Sequence, residues 1–289
     1  MANNIELSKE YLDLLDEVYQ KESVTSDLNG APEDIKEGVN AGEYLVAKYS
    51  MDGLKDYKRN DGYKNGNVSL TWETLRADYD RGTKFVIDVL DNKQAKEIPF
   101  GKLAAEFIRT RVVPEGDAFV FAKLASYSDI TKMTPKTFTT GKELLKEVID
   151  ADAKMTEDEV PETGRILYIT PTLYNSLYKE DNLTNYGILA NFEKVIKVPQ
   201  KRFYTAIDLL SGNTGEEAGH YKKAAAGKDI NFMIVEKSSV VKHDVHVASD
   251  IIPSELNPNS DGDIQKYRKH ALCQAYENKR AGIVISYKA

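Results

Sequence analysis

Met51-Asp52-Gly53-Leu54-Lys55-Asp56-Tyr57-Lys58-Arg59-Asn60-Asp61-Gly62-Tyr63-Lys64-Asn65-Gly66-Asn67-Val68-Ser69-Leu70-Thr71-Trp72 is the stretch that settles how this chain reads. Its first part is dense in turn formers: Asp52-Gly53, Asn60-Asp61-Gly62 and Asn65-Gly66-Asn67. Its end alternates through Val68, Leu70 and Trp72, the period-2 pattern of a strand. Glu43 to Tyr49 reads as a strand ahead of it, and Phe85, Ile87 and Val89 alternate behind it. The simplest reading is a long β-hairpin flanked by strands. Six acids (Asp52, Asp56, Asp61, Glu73, Asp78, Asp80) balance six bases (Lys55, Lys58, Arg59, Lys64, Arg76, Arg81). A two-stranded hairpin alone is marginally stable in water, so one this long is expected to be steadied by contacts beyond itself.

Toward the N-terminus, Leu7, Tyr11, Leu14, Leu15, Val18 and Tyr19 fall at helical spacing, with Glu10, Asp13, Asp16 and Glu17 on the other face. Ser23 to Asn40 is polar and reads as an extended linker. Residues 1–40 carry ten acids and three bases. They look like an acidic arm whose one apolar stripe needs something to lie on.

Toward the C-terminus, Phe100, Leu103, Ala104, Phe107 and Ile108 trace one helical face, and Ala118, Phe119, Ala122 and Ala125 resume it past Pro114. That predicts one long kinked helix, or two in series, over about 97–127. From Thr139 the character becomes α/β. Thr140 is placed to cap a helix through Leu144, Leu145, Val148 and Ile149, and Met155 to Gly164 reads as an acidic loop. Arg165 to Ile169 reads as a buried strand, and Thr170-Pro171 opens a helix to about Lys179. Strands are expected at Lys194–Val198, Ile230–Val235, Val240–Val247 and Ala281–Tyr287, with exposed loops at Gly212–Gly227 and Asn257–Asp263.

The chain has 289 residues, 41% hydrophobic, enough for an ordinary core in one large domain or two modest ones. A net charge of −7 argues against direct binding to a phosphate backbone. Seventeen tyrosines against nine phenylalanines suit surfaces later covered by a partner. One cysteine, Cys273, excludes an intrachain disulfide. No membrane span or secretory leader is expected, and folding in a cytoplasm is.

A search for chemistry gives nothing definite. The P-loop, the dinucleotide-binding glycines and the G-x-S-x-G elbow are absent. His243 and His246 would diverge on a strand, so no metal site is expected there. Asn257 to Gly262 resembles the start of a calcium loop, but Arg268 stands where a bidentate glutamate is needed. Cys273, among Ala271, Leu272 and Ala275, reads as a small buried filler. No catalytic residue, cofactor or metal is assigned.

The order of parts and several local phrases resemble tailed-bacteriophage major capsid proteins. Ser50 to Asn60, Leu70-Thr71-Trp72-Glu73-Thr74 and Asp80-Arg81-Gly82 are similar to that family's extended loop. Phe100-Gly101-Lys102, Glu106 to Thr110, Val112-Val113-Pro114-Glu115 and Asp117-Ala118 are similar to its long spine helix. Tyr267-Arg268, Glu277-Asn278-Lys279 and Gly282-Ile283 continue the likeness. It is strongest over 43–127 and weakest over 136–230.

The resemblance implies an α+β chain with a Hong Kong 97-like fold. It divides into an N-terminal arm at 1–42 and an extended loop with flanking strands at 43–90. A peripheral domain uses 91–135 and 236–289, and an axial α/β domain uses 136–235. It implies a coat protein that assembles as hexamers and pentamers into an icosahedral shell around phage double-stranded DNA. Such a virion protein would assemble in the host cytoplasm and touch the DNA weakly, without sequence specificity. A portal is an expected partner. So is a separate scaffolding protein, because only about 40 residues precede the first strand. Contacts between copies are expected from Asp52, Lys55, Asp56, Tyr57, Lys58, Arg59, Lys64, Trp72, Arg76 and Arg81 of the loop, and from Tyr11, Leu14, Leu15 and Val18 of the arm. Lys55, Lys58 and Lys64 are read as solvated or salt-bridged, not as crosslinking groups. Two alternatives stay open: the shell of an encapsulin-type nanocompartment, and a cytoplasmic α/β enzyme with an acidic site in 136–235.

Overall fold

The computed structural model describes residues 18–19, 22–30, 35–37, 43–60, 62–88, 100–177, 187 and 189–289. A five-stranded sheet forms one half of the body. Its strands are β5 (Thr131–Lys132), β6 (Arg165–Ile169), β7 (Lys194–Lys197), β10 (Ile230–Glu236) and β13 (Ile283–Tyr287), in the order β5-β13-β10-β6-β7. β6 and β10 are buried along their whole length, which is why both read as unbroken apolar runs. Alternate side chains serve two layers. Ile166, Tyr168, Val235, Ile283 and Ile285 meet Phe121 and Leu124 of a helix on one face. Leu167, Ile169, Phe232, Ile234 and Val284 meet Leu144, Val148, Ala151 and Met155 on the other. β13 pairs with β10 here, so the chain's last strand joins this sheet.

A three-stranded antiparallel sheet forms the other half: β4 (Tyr79–Asp88), β12 (Gly262–Ala275) and β11 (Val240–Ile252), in the order β11-β12-β4. β12 is the element the sequence hid. It lies between two neighbours and buries Gln265 and Lys269 beside Ile264 and Tyr267, so no apolar alternation marks it.

A helical rod joins the halves: α1 (Phe100–Phe107), a π turn at Ile108–Val112, and α2 (Val113–Ser126). Pro114 has no N–H to donate, and the helical run continues past it by the π turn just upstream, so the sequence's two helices in series are one continuous run. Ala104, Ile108, Val112 and Val113 pack with Tyr267 of the three-stranded sheet. Val120, Phe121, Leu124 and Ala125 pack on the five-stranded one.

On the far face lie α3 (Gly141–Glu157) and α4 (Pro171–Leu177). Thr140 caps α3 as expected, its Oγ1 accepting from Glu143 N at 3.3 Å. α4 begins at Pro171; the stretch toward Lys179 lies outside the described residues. The acidic loop after α3 is held from beneath by Arg165, which is 1% exposed. Its guanidinium reaches Val160 O (2.6 Å), Pro161 O (2.9 Å) and Asp152 Oδ1 (2.6 Å). β8 (Ile207–Leu209) and β9 (Tyr221–Lys223) form a small ribbon beside the loop 211–220, which is mostly exposed. Cys273 is buried, and burial pushes its thiol up to about 12.

Candidate assembly surface

The hairpin is β2 (Glu43–Met51) paired with β3 (Val68–Arg76), and β1 (Ile35–Glu37) edges its base. It is narrower than the loop read from sequence, because Tyr79 to Asp88 belongs to the body sheet through β12. Register decides what each face carries. Residues directly opposite share a face, so Ala47 with Trp72, Tyr49 with Leu70, and Met51 with Val68 line one side. Tyr44 with Leu75, Val46 with Glu73, and Lys48 with Thr71 line the other.

The second side is seated on the body. Leu75, 1% exposed, packs with Val241 and Leu272, and Tyr44, Val46 and Tyr276 close around them. Lys48 Nζ meets Glu277 Oε2 at 2.7 Å, and Glu277 N donates to Glu73 Oε1 at 3.1 Å. The first side carries most of the exposed apolar surface of the hairpin. Tyr49, Met51, Val68, Leu70 and Trp72 are all exposed, as are Leu54, Tyr57 and Tyr63 at the tip. Only three other large apolar side chains among the described residues are exposed: Val86, Ile149 and Leu256. Scattered apolar exposure is ordinary, whereas a contiguous row marks a contact surface.

The residues expected to touch other copies fall into distinct groups. Asp56, Tyr57, Lys58, Arg59 and Lys64 lie exposed at the tip, and Trp72 lies in the apolar row. Asp52 and Lys55 meet each other at 2.9 Å. Arg76 pairs with Glu43 across the hairpin at 3.1 Å. Arg81 lies in β4, where its Nε donates to Glu115 Oε1 at 2.8 Å. Burial pushes the Glu115 carboxyl up, but His220, Arg81 and Tyr79 outweigh burial and hold it below its ordinary value. The sequence reading missed Tyr49, Met51, Leu54, Tyr63, Val68 and Leu70. The alternation at 68–72 was the available signal.

Of the arm residues, Tyr11, Leu14 and Leu15 lie outside the described residues. Val18 is half-buried against its own body, beside Tyr19, Ala105 and Phe107. The stretch after it is no exposed linker, because Ser23, Thr25 and Leu28 are buried. Asp117, in α2, gathers this segment. It accepts from Ser23 Oγ and Thr25 Oγ1 at 2.7 Å, from Val24 N at 3.2 Å and from Arg202 Nη1 at 3.1 Å. From the other side Lys242 Nζ donates to Thr25 Oγ1 at 2.8 Å and Thr25 O at 3.1 Å. Lys269 lies 3.5 Å from the centre of the Tyr19 ring and 2.7 Å from Asp244 Oδ2. Burial lowers both lysines, Lys269 to about 8.

Between β4, the π turn, β12 and the loop 211–220 lies a cavity of about 630 Å³ that includes Arg81, Glu115, His220 and Lys269. The Glu115 carboxylate in it accepts from Tyr79 Oη at 3.2 Å and Arg81 Nε at 2.8 Å, and His220 Nδ1 lies 3.4 Å from its Oε2. Among the described residues no cluster of His, Cys, Asp and Glu is arranged to hold a metal ion, and no helix is long and apolar enough to cross a membrane.

No family model matches the chain, and no curated protein does. Solved structures do. A structure from Mycobacterium phage Che8 aligns over 86% of this chain and 85% of its own, with a TM-score of 0.60 and 13% identity. The capsid of cyanophage P-SCSP1u aligns over 92% and 88%, also at 0.60, with 14% identity. The chain has the Hong Kong 97-like capsid fold. A virus-like particle from Pyrococcus furiosus shares this capsid fold over 97% of this chain and 99% of its own, with a TM-score of 0.60 and 13% identity.

Proposed function

We propose that this chain is the major capsid protein of a tailed phage, a shell-building protein and not an enzyme. Copies assemble as hexamers and pentamers into a closed shell around packaged double-stranded DNA, in the virion. The observation that carries the proposal is the row Tyr49, Met51, Val68, Leu70 and Trp72, exposed on a hairpin whose opposite face is seated on its own body. Fully burying such a side chain is worth about 1.5–3 kcal/mol, and half of that is still to be gained at each position, so one hairpin offers several kcal/mol to a neighbour. Repetition around closed symmetry turns that modest contact into a strong shell. The five-stranded sheet with α3 and α4 is the proposed axial domain. The three-stranded sheet with the start of the rod is the proposed peripheral one. A portal and a scaffolding protein are proposed partners on the strength of the fold, as is weak DNA contact by an acidic chain.

The test replaces Leu70 and Trp72 together by Asp. The variant is expected to stay soluble with a melting midpoint within about 2 °C of the parent, since surface changes rarely exceed ~0.5 kcal/mol. It is expected to form no shells by electron microscopy. Shells of normal size from this variant would overturn the proposal. A second reading, the encapsulin-type compartment, draws on the near-complete overlap with the Pyrococcus furiosus particle. Particles purified with protein cargo and no DNA would favour it.

A further inference from the structure

The cavity between β4, β12, the π turn and the loop 211–220 plays no part in the shell reading. Its volume of about 630 Å³ lies within the roughly 300–1,000 Å³ usual for small-molecule sites. One wall is aromatic: Phe85 and Phe107 meet edge to face with ring centres 5.0 Å apart, and Phe107 meets Tyr267 at 5.8 Å. Among the described residues two carboxylates line the cavity, and both are engaged. Glu115 is held by Tyr79, Arg81 and His220, as described above. Glu217 Oε1 accepts from Gly215 N at 2.8 Å, inside its own loop. The cations are less fully used. Lys269 is turned to Asp244 at 2.7 Å. Arg81 gives Nε to Glu115 and Nη2 to the His220 carbonyl at 3.3 Å, which leaves Nη1. Arg111 meets no hydrogen-bond or ion-pair partner among the described residues, whereas Arg109, two residues before it, is held by Glu106 at 2.7 Å. The unmet hydrogen bonding of the two guanidiniums is therefore all donors, and a ligand there has to bring acceptors. Two backbone departures mark the same place. Arg111 stands in the π turn, and His220 has φ 73°, where residues other than glycine rarely go. Both kinds of departure gather at binding sites.

We propose that this cavity binds a small organic anion, a carboxylate or phosphate carried on a flat apolar body. Arg111 and Arg81 take the anionic group, and Phe85, Phe107 and Tyr267 take the body. The fork of a guanidinium matches the paired oxygens of either head group. A cation is disfavoured because both carboxylates already have their donors. A bare inorganic anion is a poorer fit, because it leaves the three rings uncovered. The site lies within one copy of the chain and does not depend on the shell reading. Its walls come from the three-stranded sheet, from the rod and from the loop that closes the ribbon of β8 and β9. A ligand there ties the loop to the sheet and rod, so occupancy raises the melting midpoint and slows opening of the loop.

The experiment is calorimetric titration of the unassembled full chain with four probes: naphthoate, naphthyl phosphate, the neutral naphthalenemethanol and inorganic phosphate. The parent is compared with Arg111→Gln and Arg109→Gln, both exposed positions at which the fold is expected to survive. Naphthoate or naphthyl phosphate is expected to bind saturably, one per chain, and the tighter of the two names the head group. Arg111→Gln is expected to weaken that binding roughly tenfold or more, the loss of a charge-assisted hydrogen bond. Arg109→Gln, which removes the same charge beside the site, is expected to leave it unchanged. Amide exchange of 211–220 is expected to slow at saturating probe. The proposal is overturned if neither aromatic anion binds saturably, or if Arg111→Gln binds as the parent does. It is equally overturned if Arg109→Gln weakens binding as much as Arg111→Gln, which would mark a general charge effect. Naphthalenemethanol or inorganic phosphate binding as tightly as the aromatic anions, or exchange of 211–220 that ignores the probe, would also sink it.

Discussion

Replacing Asp117 by alanine probes how the arm is held. The carboxylate is fully buried. It accepts from Ser23 Oγ and Thr25 Oγ1 at 2.7 Å, from the backbone N–H groups of Val24 at 3.2 Å and Thr25 at 3.3 Å, and from Arg202 at 3.1 Å. Alanine strips all five and leaves a void. Arg202 keeps 20% exposure and can turn to water, Thr25 N keeps Ser23 Oγ at 3.3 Å, and the two hydroxyls lie 3.2 Å apart, so Val24 N and one hydroxyl are left without an acceptor. At about 1 kcal/mol for each stranded neutral donor, the low end of the range, the loss is about 2 kcal/mol. It falls on the attachment of residues 23–29, because α2 remains packed through Phe121 and Leu124. The expected result is local opening of that segment about thirtyfold more often, at 1.4 kcal/mol per decade. The assay is native-state hydrogen exchange on the amides of Val24, Thr25, Leu28 and Asn29. Asp117→Asn should fall between, since one of its two positions becomes a donor facing donors. Protection within threefold of the parent in the alanine variant would refute the reasoning, because the segment would then be held by Leu28, Tyr19 and Lys242 without the carboxylate.

Arg165→Met should destabilise by about 3–5 kcal/mol, because the carbonyls of Val160 and Pro161 lose their donor and Asp152 its partner; denaturant titration measures it, and faster cleavage at Glu157 to Glu162 by a glutamate-specific protease localises it. Lys269 has a folded value of about 8 against an ordinary 10.5, so between those values the unfolded chain binds more protons and stability rises with pH. The rise should be visible from about pH 8 to pH 9, before Cys273, whose thiol burial raises from 9.0 to about 12, begins to oppose it, with Tyr19 adding to the opposition above pH 10, and Lys269→Met should reduce it in urea titrations run at a series of pH values. Gly141→Ala sets a methyl against the Ser176 carbonyl where α3 crosses α4 and should cost about 1–3 kcal/mol despite alanine's better helix propensity; Gly53→Ala, with open space around it, should leave the melting midpoint unchanged.

What was legible in the sequence was local. Turn formers at 52–67 followed by alternation at 68–72 specify a hairpin without reference to anything else. Thr140 with Glu143, and Pro171, mark helix starts through groups within four residues of one another. What was hidden depended on partners far along the chain. Ser23 to Asn29 is polar and reads as solvated, yet its hydroxyls are satisfied by Asp117 and Lys242, about ninety and two hundred residues away. β12 escaped for the same reason, since Lys269 is buried only because Asp244 lies on the neighbouring strand.

The candidate site shows the same divide and adds a point about which residues speak for a missing partner. The charged hairpin residues drew attention first, yet charge is a poor witness. Asp52 with Lys55, and Arg76 with Glu43, find opposite charges within their own copy, and Arg81 finds Glu115. Exposed pairs of this kind are worth little and are satisfied equally well by water. An apolar row has no such local remedy. Tyr49, Met51, Val68, Leu70 and Trp72 cannot turn inward, because a strand that seats Leu75 and Val46 on the body must point its alternate side chains away from it. Flipping the register would expose Leu75 instead, so no arrangement of this hairpin on its own body hides both sets. The strand period therefore turns one apolar face away from the described body, which is why an apolar row speaks for a missing partner more clearly than charge does.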